Sequence, residues 1–227
     1  MKRINPIGPI APFIPKGVIL DMDGLMLDTE RLELGIYVEL SGKMGWPTPE
    51  IVLRNTIGMG EAESEAFYKG KYGADYPYME IWTAVLEEET RIGNINGLPL
   101  KKGLFVFLDK VKSLGIPAVV ATSTKRKKAQ WKLDRSGILD CFTEFVFGDE
   151  VTNGKPAPDI FLLAAKKLGV EPADCIGFED SPAGLAGLAK AGIPSVYIKD
   201  MAEPAPEILN TVLYQCEDLE EASLLLG

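Results

Sequence analysis

The chain has 227 residues, 46% of them apolar and 25% charged, and this composition excludes disordered and fibrous proteins. Its length suffices for one sizeable core, or for one core with a smaller inserted module. The net charge of -9 argues against nucleic acid or an anionic membrane as a general partner, because both repel an acidic surface. We therefore expect a folded protein without either of these partners.

The sequence contains no histidine, and this narrows the catalytic chemistry that is possible. Ser-His-Asp and Cys-His nucleophile activation, histidine-based zinc hydrolysis and imidazole proton transfer are all excluded. Catalysis would have to use carboxylates, lysine, hydroxyls and a hard metal. The three cysteines are far apart without a CxxC pair, so we predict reduced core thiols in a cytoplasmic protein. They are Cys141, Cys175 and Cys216.

Residues 1–16 form a proline-rich N-terminal arm. Pro6, Pro9, Pro12 and Pro15 interrupt any helical signal segment, and an extended arm is predicted instead. No uninterrupted apolar run in the sequence has the length needed to span a membrane.

Strand and helix patterns alternate over most of the chain. Five short apolar segments are predicted as buried parallel strands. They cover residues 17–21, 116–123, 143–149, 174–180 and 193–199. Helical patterns cover residues 104–115, 128–137, 158–169 and 182–192, and each ends at a glycine. This alternation predicts an α/β fold with a doubly wound parallel sheet.

The alternation is interrupted between residues 31 and 99. This region contains only helix-like stretches, such as LELGIYVELSGKM and YMEIWTAVLEEETRIG. We therefore predict an all-helical domain at 31–99, inserted after the first strand of an α/β core that comprises residues 1–30 and 100–227.

Polar groups follow several of the predicted strands. Asp21 and Asp23 follow the first, Thr122, Ser123 and Thr124 the second, Lys155 the third, and Glu179 and Asp180 the fourth. Ligands of open α/β sheets bind at the carboxyl ends of the strands, so these groups are expected to converge. Three or four oxygen ligands suit Mg²⁺, and a hydroxyl and an ammonium suit phosphoryl oxygens. The set indicates phosphoryl transfer through an aspartyl-phosphate.

Four motifs give the chain a specific resemblance. They are DMDGLMLDTE at 21–30, VVATS at 119–123, GKPAPD at 154–159 and IGFEDSPAG at 176–184. In this order they resemble the haloacid dehalogenase superfamily, in particular its β-phosphoglucomutase-like phosphatase branch with a helical cap. The resemblance covers nearly the whole chain outside the arm. It implies a Rossmann-like core, a cap at 31–99, a small phosphorylated metabolite as substrate, and a monomer.

The resemblance also implies a role for each motif residue. Asp21 would be the nucleophile, and Asp23 would protonate the leaving oxygen and then activate water. Thr122 and Lys155 would bind the phosphoryl group, together with Ser123 as a possible contact.

The same resemblance implies the metal ligands and a moving turn. Mg²⁺ would be held by Asp21, the backbone carbonyl of Asp23, Asp180 and Glu179, the last directly or through water. Gly24 would contribute to phosphate binding and, with the residues up to Glu30, to a flexible turn that lets the cap open.

Simpler roles remain open for some of these residues. Asp28, with Thr29 and Glu30, would also serve to cap the first helix of the insert, the role that we favour. Ser123 and Thr124 would equally serve to cap the helix that follows them.

Two enzyme classes remain for the core motifs, a hydrolase and a sugar-phosphate mutase. The mutases that the chain resembles carry a histidine soon after the first motif and an arginine just beyond a glycine in the second cap helix. An ungapped placement puts Glu33 and Glu61 at these positions. Two acids would repel a second phosphate, so we expect hydrolysis, with a mutase as the alternative and a non-catalytic phospho-acceptor or binding protein as a further one.

Overall fold

The computed structural model describes residues 1–4, 12–56 and 61–227. The chain divides into two compact units. The first unit joins Met1–Leu27 to Leu100–Gly227, and the second is Asp28–Pro99. The boundary predicted after residue 30 falls inside the first helix of the second unit, because that helix already begins at Thr29. A capping role for the second unit stays a prediction.

The described residues of the first unit form a seven-stranded sheet with the order β1-β7-β6-β5-β2-β3-β4. Its strands are Lys2–Arg3 (β1), Gly17–Leu20 (β2), Ala118–Thr122 (β3), Glu144–Phe147 (β4), Cys175–Glu179 (β5), Ser195–Ile198 (β6) and Tyr214–Cys216 (β7). Neighbouring strands are parallel except at one edge, where β1 pairs antiparallel with β7. The chain builds outward from β2 through β3 and β4, then returns to β5 on its other side. The crevice at this reversal is where doubly wound sheets bind ligands.

Helices separate the strands and also form the second unit. They are Thr29–Lys43 (α1), Glu50–Leu53 (α2), Glu61–Tyr72 (α3), Tyr78–Asn96 (α4), Leu104–Ser113 (α5), Arg126–Arg135 (α6), Asp159–Leu168 (α7), Pro182–Lys190 (α8), Pro206–Leu209 (α9) and Leu219–Ser223 (α10). Gly115, Gly137, Gly169 and Gly192 have positive φ after α5, α6, α7 and α8, as predicted. The predicted fold class, a doubly wound sheet with an inserted helical unit, is confirmed.

Strand β2 is apolar at every position because both of its faces are buried. Val18 and Leu20 are buried in the core that contains α5, α6 and α10, whereas Ile19 is buried on the opposite face against α7 and α8. A strand covered on both faces has no solvent side, so alternation of polar and apolar residues is lost.

The sequence analysis missed the elements at the sheet edge. Strands β1 and β7 have two and three residues, and helices α9 and α10 have four and five. Elements this short contain too few residues for a hydrophobic period to be visible. The predicted strands were also too long, because Asp21 and Asp180 lie beyond the sheet.

The proline-rich arm is only partly described. Residues 5–11, and with them the predicted roles of Pro6 and Pro9, lie outside the described residues. The backbone N–H of Phe13 donates a hydrogen bond to the carbonyl of Leu225 at 2.9 Å. With the pairing of β1 to β7, this contact attaches the described parts of the arm to the first unit.

The second unit has a core of its own that is rich in tyrosine. The ring of Tyr68 stacks on Tyr37, Tyr76 and Tyr78 with centroid distances of 5.7, 5.5 and 5.3 Å. The buried hydroxyl of Tyr76 lies 3.1 Å from that of Tyr37 and 2.7 Å from that of Thr48. These hydrogen bonds satisfy the polar ends of rings whose bodies supply the apolar packing.

The predicted burial of the cysteines holds for two of the three. Cys175 and Cys216 are buried, but Cys141 is exposed, because it ends a short helical turn that precedes β4. Over the ranges 1–4, 12–56 and 61–227, none of the helices combines the length and the apolar character that crossing a membrane would require.

Candidate active site

The carboxyl ends of three neighbouring strands carry polar residues that are buried. Asp21 follows β2, Thr122 ends β3 and Glu179 ends β5, with Asp180 next along the chain. All four side chains are almost completely shielded from solvent, and Asp21 is the most exposed of them at 7%. Because β2 lies between β5 and β3, these residues meet where the strand order reverses.

Lys155 connects two of these carboxylates. Its Nζ lies 2.5 Å from Asp21 Oδ1 and 2.6 Å from Glu179 Oε1. Glu179 Oε2 accepts a second hydrogen bond, from the backbone N–H of Ser181 at 2.7 Å. Burial acts against the charge of Lys155, but Asp21 and Glu179 outweigh it and raise its pKa. Lys155 is therefore a fixed ammonium at neutral pH.

Asp21 is a carboxyl group in an unusual environment. Burial raises its pKa to about 7, although Lys155 acts in the opposite direction. The negative charges of Glu179 and Asp23 raise this pKa as well. Additional positive charge beside Asp21 would favour its ionised form, in which it can act as a nucleophile.

The acidic residues have a donor set that fits a divalent cation. Carboxylate oxygens of Asp21, Glu179 and Asp180 lie within 4.8 Å of one another, and all three residues are buried. Lys155 supplies one positive charge against these three negative ones, so a dication would balance the remainder. Carboxylate oxygens without histidine or thiolate are typical of hard cations such as Mg²⁺.

Two glycines allow the backbone to approach these acids. A Cβ at Gly24 would lie 2.3 Å from Asp180 Oδ2, and a Cβ at Gly184 would lie 1.7 Å from Glu179 Oε1. Gly24 also has φ +86°, which L side chains rarely adopt. The structure thus gives Gly24 a steric reason to be glycine, and its predicted role in phosphate binding stays a prediction.

Gly24→Ala is expected to weaken metal binding as well as folding. The new methyl group would displace the Asp180 carboxylate, and the positive φ adds roughly 1–2 kcal/mol of backbone strain. We expect a melting temperature several degrees lower and an affinity for divalent cations that is at least about tenfold lower.

Gly137→Ala is the matched control, because Gly137 also has a positive φ of +69° and a Cβ at this position would meet open space. It should lower stability without changing the metal dependence. A Gly24→Ala variant with the metal dependence of the wild type would contradict the proposed arrangement.

The hydroxyl residues after β3 differ in their surroundings. Thr122 is buried, and its Oγ1 accepts a hydrogen bond from the backbone N–H of Thr124 at 3.1 Å. This bond uses a lone pair of the Thr122 hydroxyl oxygen and leaves the hydroxyl proton available to an acceptor. Ser123 is exposed. Thr124 donates its own hydroxyl to Asp23 Oδ2 at 2.8 Å.

Neither Ser123 nor Thr124 caps helix α6, so that alternative is wrong. The N-cap residue is Lys125, which makes no side-chain capping bond. Instead, the carboxylate of Asp149 accepts a hydrogen bond from the backbone N–H of Arg126 at 3.0 Å. The cap comes from a residue distant in sequence, and local pattern does not reveal such a partner.

Asp23 contacts a residue that the sequence analysis did not select. Lys132 in α6 is 3% exposed, and its Nζ lies 2.7 Å from Asp23 Oδ1. The sequence gives only a weak signal for this contact. Lys132 directly precedes Leu133, an apolar residue of α6, and this position indicates only weakly that the lysine is buried.

Asp28 occupies the N-cap position of α1, but its side chain does not cap the helix. Its Oδ1 accepts a hydrogen bond from Arg31 Nη1 at 2.7 Å instead. The favoured capping role is therefore wrong for the side chain, because the arginine one turn further on offers a charged donor. Glu30 does lie in the first turn of α1, where a negative charge is favourable.

The fold and the cluster of acids around Lys155 define a class of doubly wound α/β proteins with a buried aspartate at the end of the first parallel strand. The sequence pattern of the haloacid dehalogenase-like hydrolases matches residues 15–192. The chain belongs to this family.

Several known proteins are similar to the chain along most of their length. A "phosphorylated carbohydrates phosphatase" of Thermotoga maritima is 34% identical over 182 residues, which are 80% of this chain and 84% of the relative. The fructose-1-phosphate phosphatase YqaB of Escherichia coli K12 is 29% identical over 201 residues, with 81% and 96% covered. A solved structure from Thermotoga maritima, provisionally named a beta-phosphoglucomutase, has a TM-score of 0.76 and 30% identity, with 92% and 96% covered.

Family and relatives together identify the chain as a phosphatase, and the two relatives named above act on phosphorylated carbohydrates. Phosphatases of this family use a divalent metal and form an aspartyl-phosphate, and the three buried carboxylates offer a place for such a metal.

Proposed function

We propose that the chain is a Mg²⁺-dependent phosphatase that hydrolyses small phosphorylated carbohydrates through a phosphorylated Asp21. The observation that carries this proposal is the contact of Asp21 with Lys155 inside a cluster of three buried carboxylates. A nucleophilic carboxylate, a fixed ammonium and ligands for a hard cation are the groups that transfer of a phosphoryl dianion requires.

In the first half of the reaction, a carboxylate oxygen of Asp21 attacks phosphorus and the bond from phosphorus to the leaving alcohol oxygen breaks. Asp23 donates a proton to that oxygen, so the alcohol leaves neutral. In the second half, Asp23 takes a proton from water as the water oxygen attacks phosphorus. The bond between phosphorus and Asp21 breaks, which releases inorganic phosphate and restores both carboxyl groups.

Two groups would hold the phosphoryl oxygens. The ammonium of Lys155 has three protons, and two of them are directed to Asp21 and Glu179. The third is available for a phosphoryl oxygen, and so is the hydroxyl proton of Thr122. A Mg²⁺ ion held by Asp21, Asp180, Glu179 and the carbonyl of Asp23 would offset the repulsion between carboxylate and phosphate.

The second unit supports hydrolysis rather than sugar-phosphate mutation. Burial raises the pKa of Tyr78, and the negative charges of Glu61, Glu65 and Glu33 add to this effect. Glu33 and Glu61 thus belong to one acidic region around Tyr78. A mutase has to hold a second phosphate on its intermediate, and close acids would repel it by on the order of 1 kcal/mol or more each.

The test is to assay the purified protein with Mg²⁺ against sugar phosphates, polyol phosphates and nucleotides. We expect the highest kcat/KM for a sugar or polyol phosphate. With β-glucose 1-phosphate and a trace of the 1,6-bisphosphate, we expect free phosphate in an amount equal to the substrate consumed.

Asp21→Asn provides the background rate in the same assays. Stoichiometric glucose 6-phosphate without phosphate release would assign the chain to the mutases. A clear preference for nucleotides would contradict the carbohydrate substrate while leaving the phosphatase chemistry in place.

A further inference from the structure

Asp23 is held by hydrogen bonds at both of its carboxylate oxygens. Lys132 Nζ lies 2.7 Å from Oδ1, and Thr124 donates its hydroxyl to Oδ2 at 2.8 Å. Both donors belong to the same unit as Asp23. A side chain that is bonded at both oxygens has a defined rotamer.

The burial of Lys132 is costly for folding. The residue is 3% exposed, and its neighbours Ala129 and Leu133 belong to the apolar core beneath α6. A buried lysine loses hydration and side-chain freedom. An apolar residue at the same position would pack without either loss, and buried ion pairs are often no more stabilising than apolar replacements. Folding alone therefore gives little reason for a lysine at this position.

The bonds of Asp23 also connect it to the phosphate-binding side of the site. The backbone N–H of Thr124 donates to Thr122 Oγ1, while its hydroxyl donates to Asp23. Thr122, Thr124, Asp23 and Lys132 thus form one continuous chain of hydrogen bonds. A shift of the Asp23 carboxylate would break this chain at two points.

We propose that Lys132 is a positioning residue that, together with Thr124, orients the Asp23 carboxylate toward the oxygen of the leaving group. This inference rests on the proposed role of Asp23 as acid and base. Lys132 itself does not touch the substrate. It restricts Asp23 to the rotamer in which its carboxyl group can pass a proton to the leaving oxygen.

The experiment compares two substrates whose leaving groups differ in their need for a proton. The p-nitrophenolate ion can leave without being protonated, whereas the alkoxide of a sugar phosphate needs a proton in order to leave. The values compared are kcat/KM, which include no step after phosphoryl transfer to Asp21. The substrates are p-nitrophenyl phosphate and the best of fructose 1-phosphate, glucose 6-phosphate and glycerol 3-phosphate.

Lys132→Met keeps the length and burial of the side chain and removes the donor. We expect kcat/KM to fall roughly 10²-fold for the alkyl phosphate and less than about tenfold for p-nitrophenyl phosphate. Lys132→Arg should restore part of the loss, because it returns a charged donor. Thr124→Val should show the same dependence on the leaving group, which keeps the test decisive if Lys132→Met does not fold.

Lys127→Met is the matched control on the same helix, because Lys127 is exposed. It should leave the ratio of the two kcat/KM values within about twofold of the wild type. Melting temperatures are measured for every variant. A purely structural role for Lys132 predicts an equal loss for both substrates together with a lower melting temperature, and that result would overturn the proposal.

Asp23→Asn separates this inference from the proposed function. If Asp23→Asn shows the dependence on the leaving group but Lys132→Met and Thr124→Val do not, the positioning role is wrong and the acid role stands. If Asp23→Asn shows no such dependence, the acid role of Asp23 is wrong, and the inference is wrong with it.

Discussion

Asp21→Asn is expected to lower kcat by at least about 10⁴-fold, because it removes the atom that forms the bond to phosphorus. The amide is close in size to the carboxylate, so the packing around β2 should be retained. Phosphate release measures the activity, and circular dichroism checks that the fold is intact. Asp109→Asn, on the exposed face of α5, is the control and should keep the activity of the wild type.

The same variant should be as stable as the wild type, or more stable, in metal-free buffer at neutral pH. Burial raises the pKa of Asp21 to about 7 in the folded protein, well above the usual range of an aspartate. As the pH rises towards 7, the unfolded chain has already lost this proton while the folded protein still binds it, so the free energy of unfolding falls. Asparagine removes this cost, and Lys155 keeps Glu179 as a partner. Near-normal turnover in Asp21→Asn would contradict the assignment of the nucleophile.

Removal of divalent metal should lower activity roughly 10³-fold, since several kcal/mol of charge stabilisation are lost. Mg²⁺ should restore the activity after treatment with EDTA. Ca²⁺ should inhibit, because it takes more ligands at longer distances and would misplace the phosphoryl group. Mg²⁺ should also raise the melting temperature of the wild type, and less so that of Asp21→Asn.

Two results would contradict the predicted metal dependence. Full turnover in the presence of EDTA would show that Lys155 alone supplies the positive charge that the reaction needs. An equal rise in melting temperature for the wild type and for Asp21→Asn would show that the metal binds away from Asp21.

The core strands, and the polar residues at their carboxyl ends, could be predicted from the sequence. Segments such as residues 17–20 and 175–178 are apolar because both faces of the sheet are covered, and the acidic residues that follow them are easy to recognise. This is why Asp21, Lys155 and Glu179 could be expected at one edge of the sheet, where the structure brings them into contact.

The residues that were missed depend on contacts between distant segments. Lys132 lies 109 residues from Asp23, and Asp149 lies 23 residues from the helix start that it caps. A lysine in a helix or an acid in a loop is common at exposed positions, so neither pattern indicates a specific partner. The failure at Asp28 has a local origin instead, because the capping propensity of the side chain competes with an ion pair to Arg31, three residues further along the helix.

The contact of one ammonium with both Asp21 and Glu179 makes the energetics of the two acids interdependent. When either acid is removed, Lys155 interacts with the remaining acid alone and binds it more strongly. The change in stability or activity on removing the second acid therefore depends on whether the first is present. Single substitutions therefore do not divide the free energy of this cluster into separate shares for Asp21 and Glu179. Only a double-mutant cycle, which compares both single variants with the double variant, measures how strongly the lysine couples them.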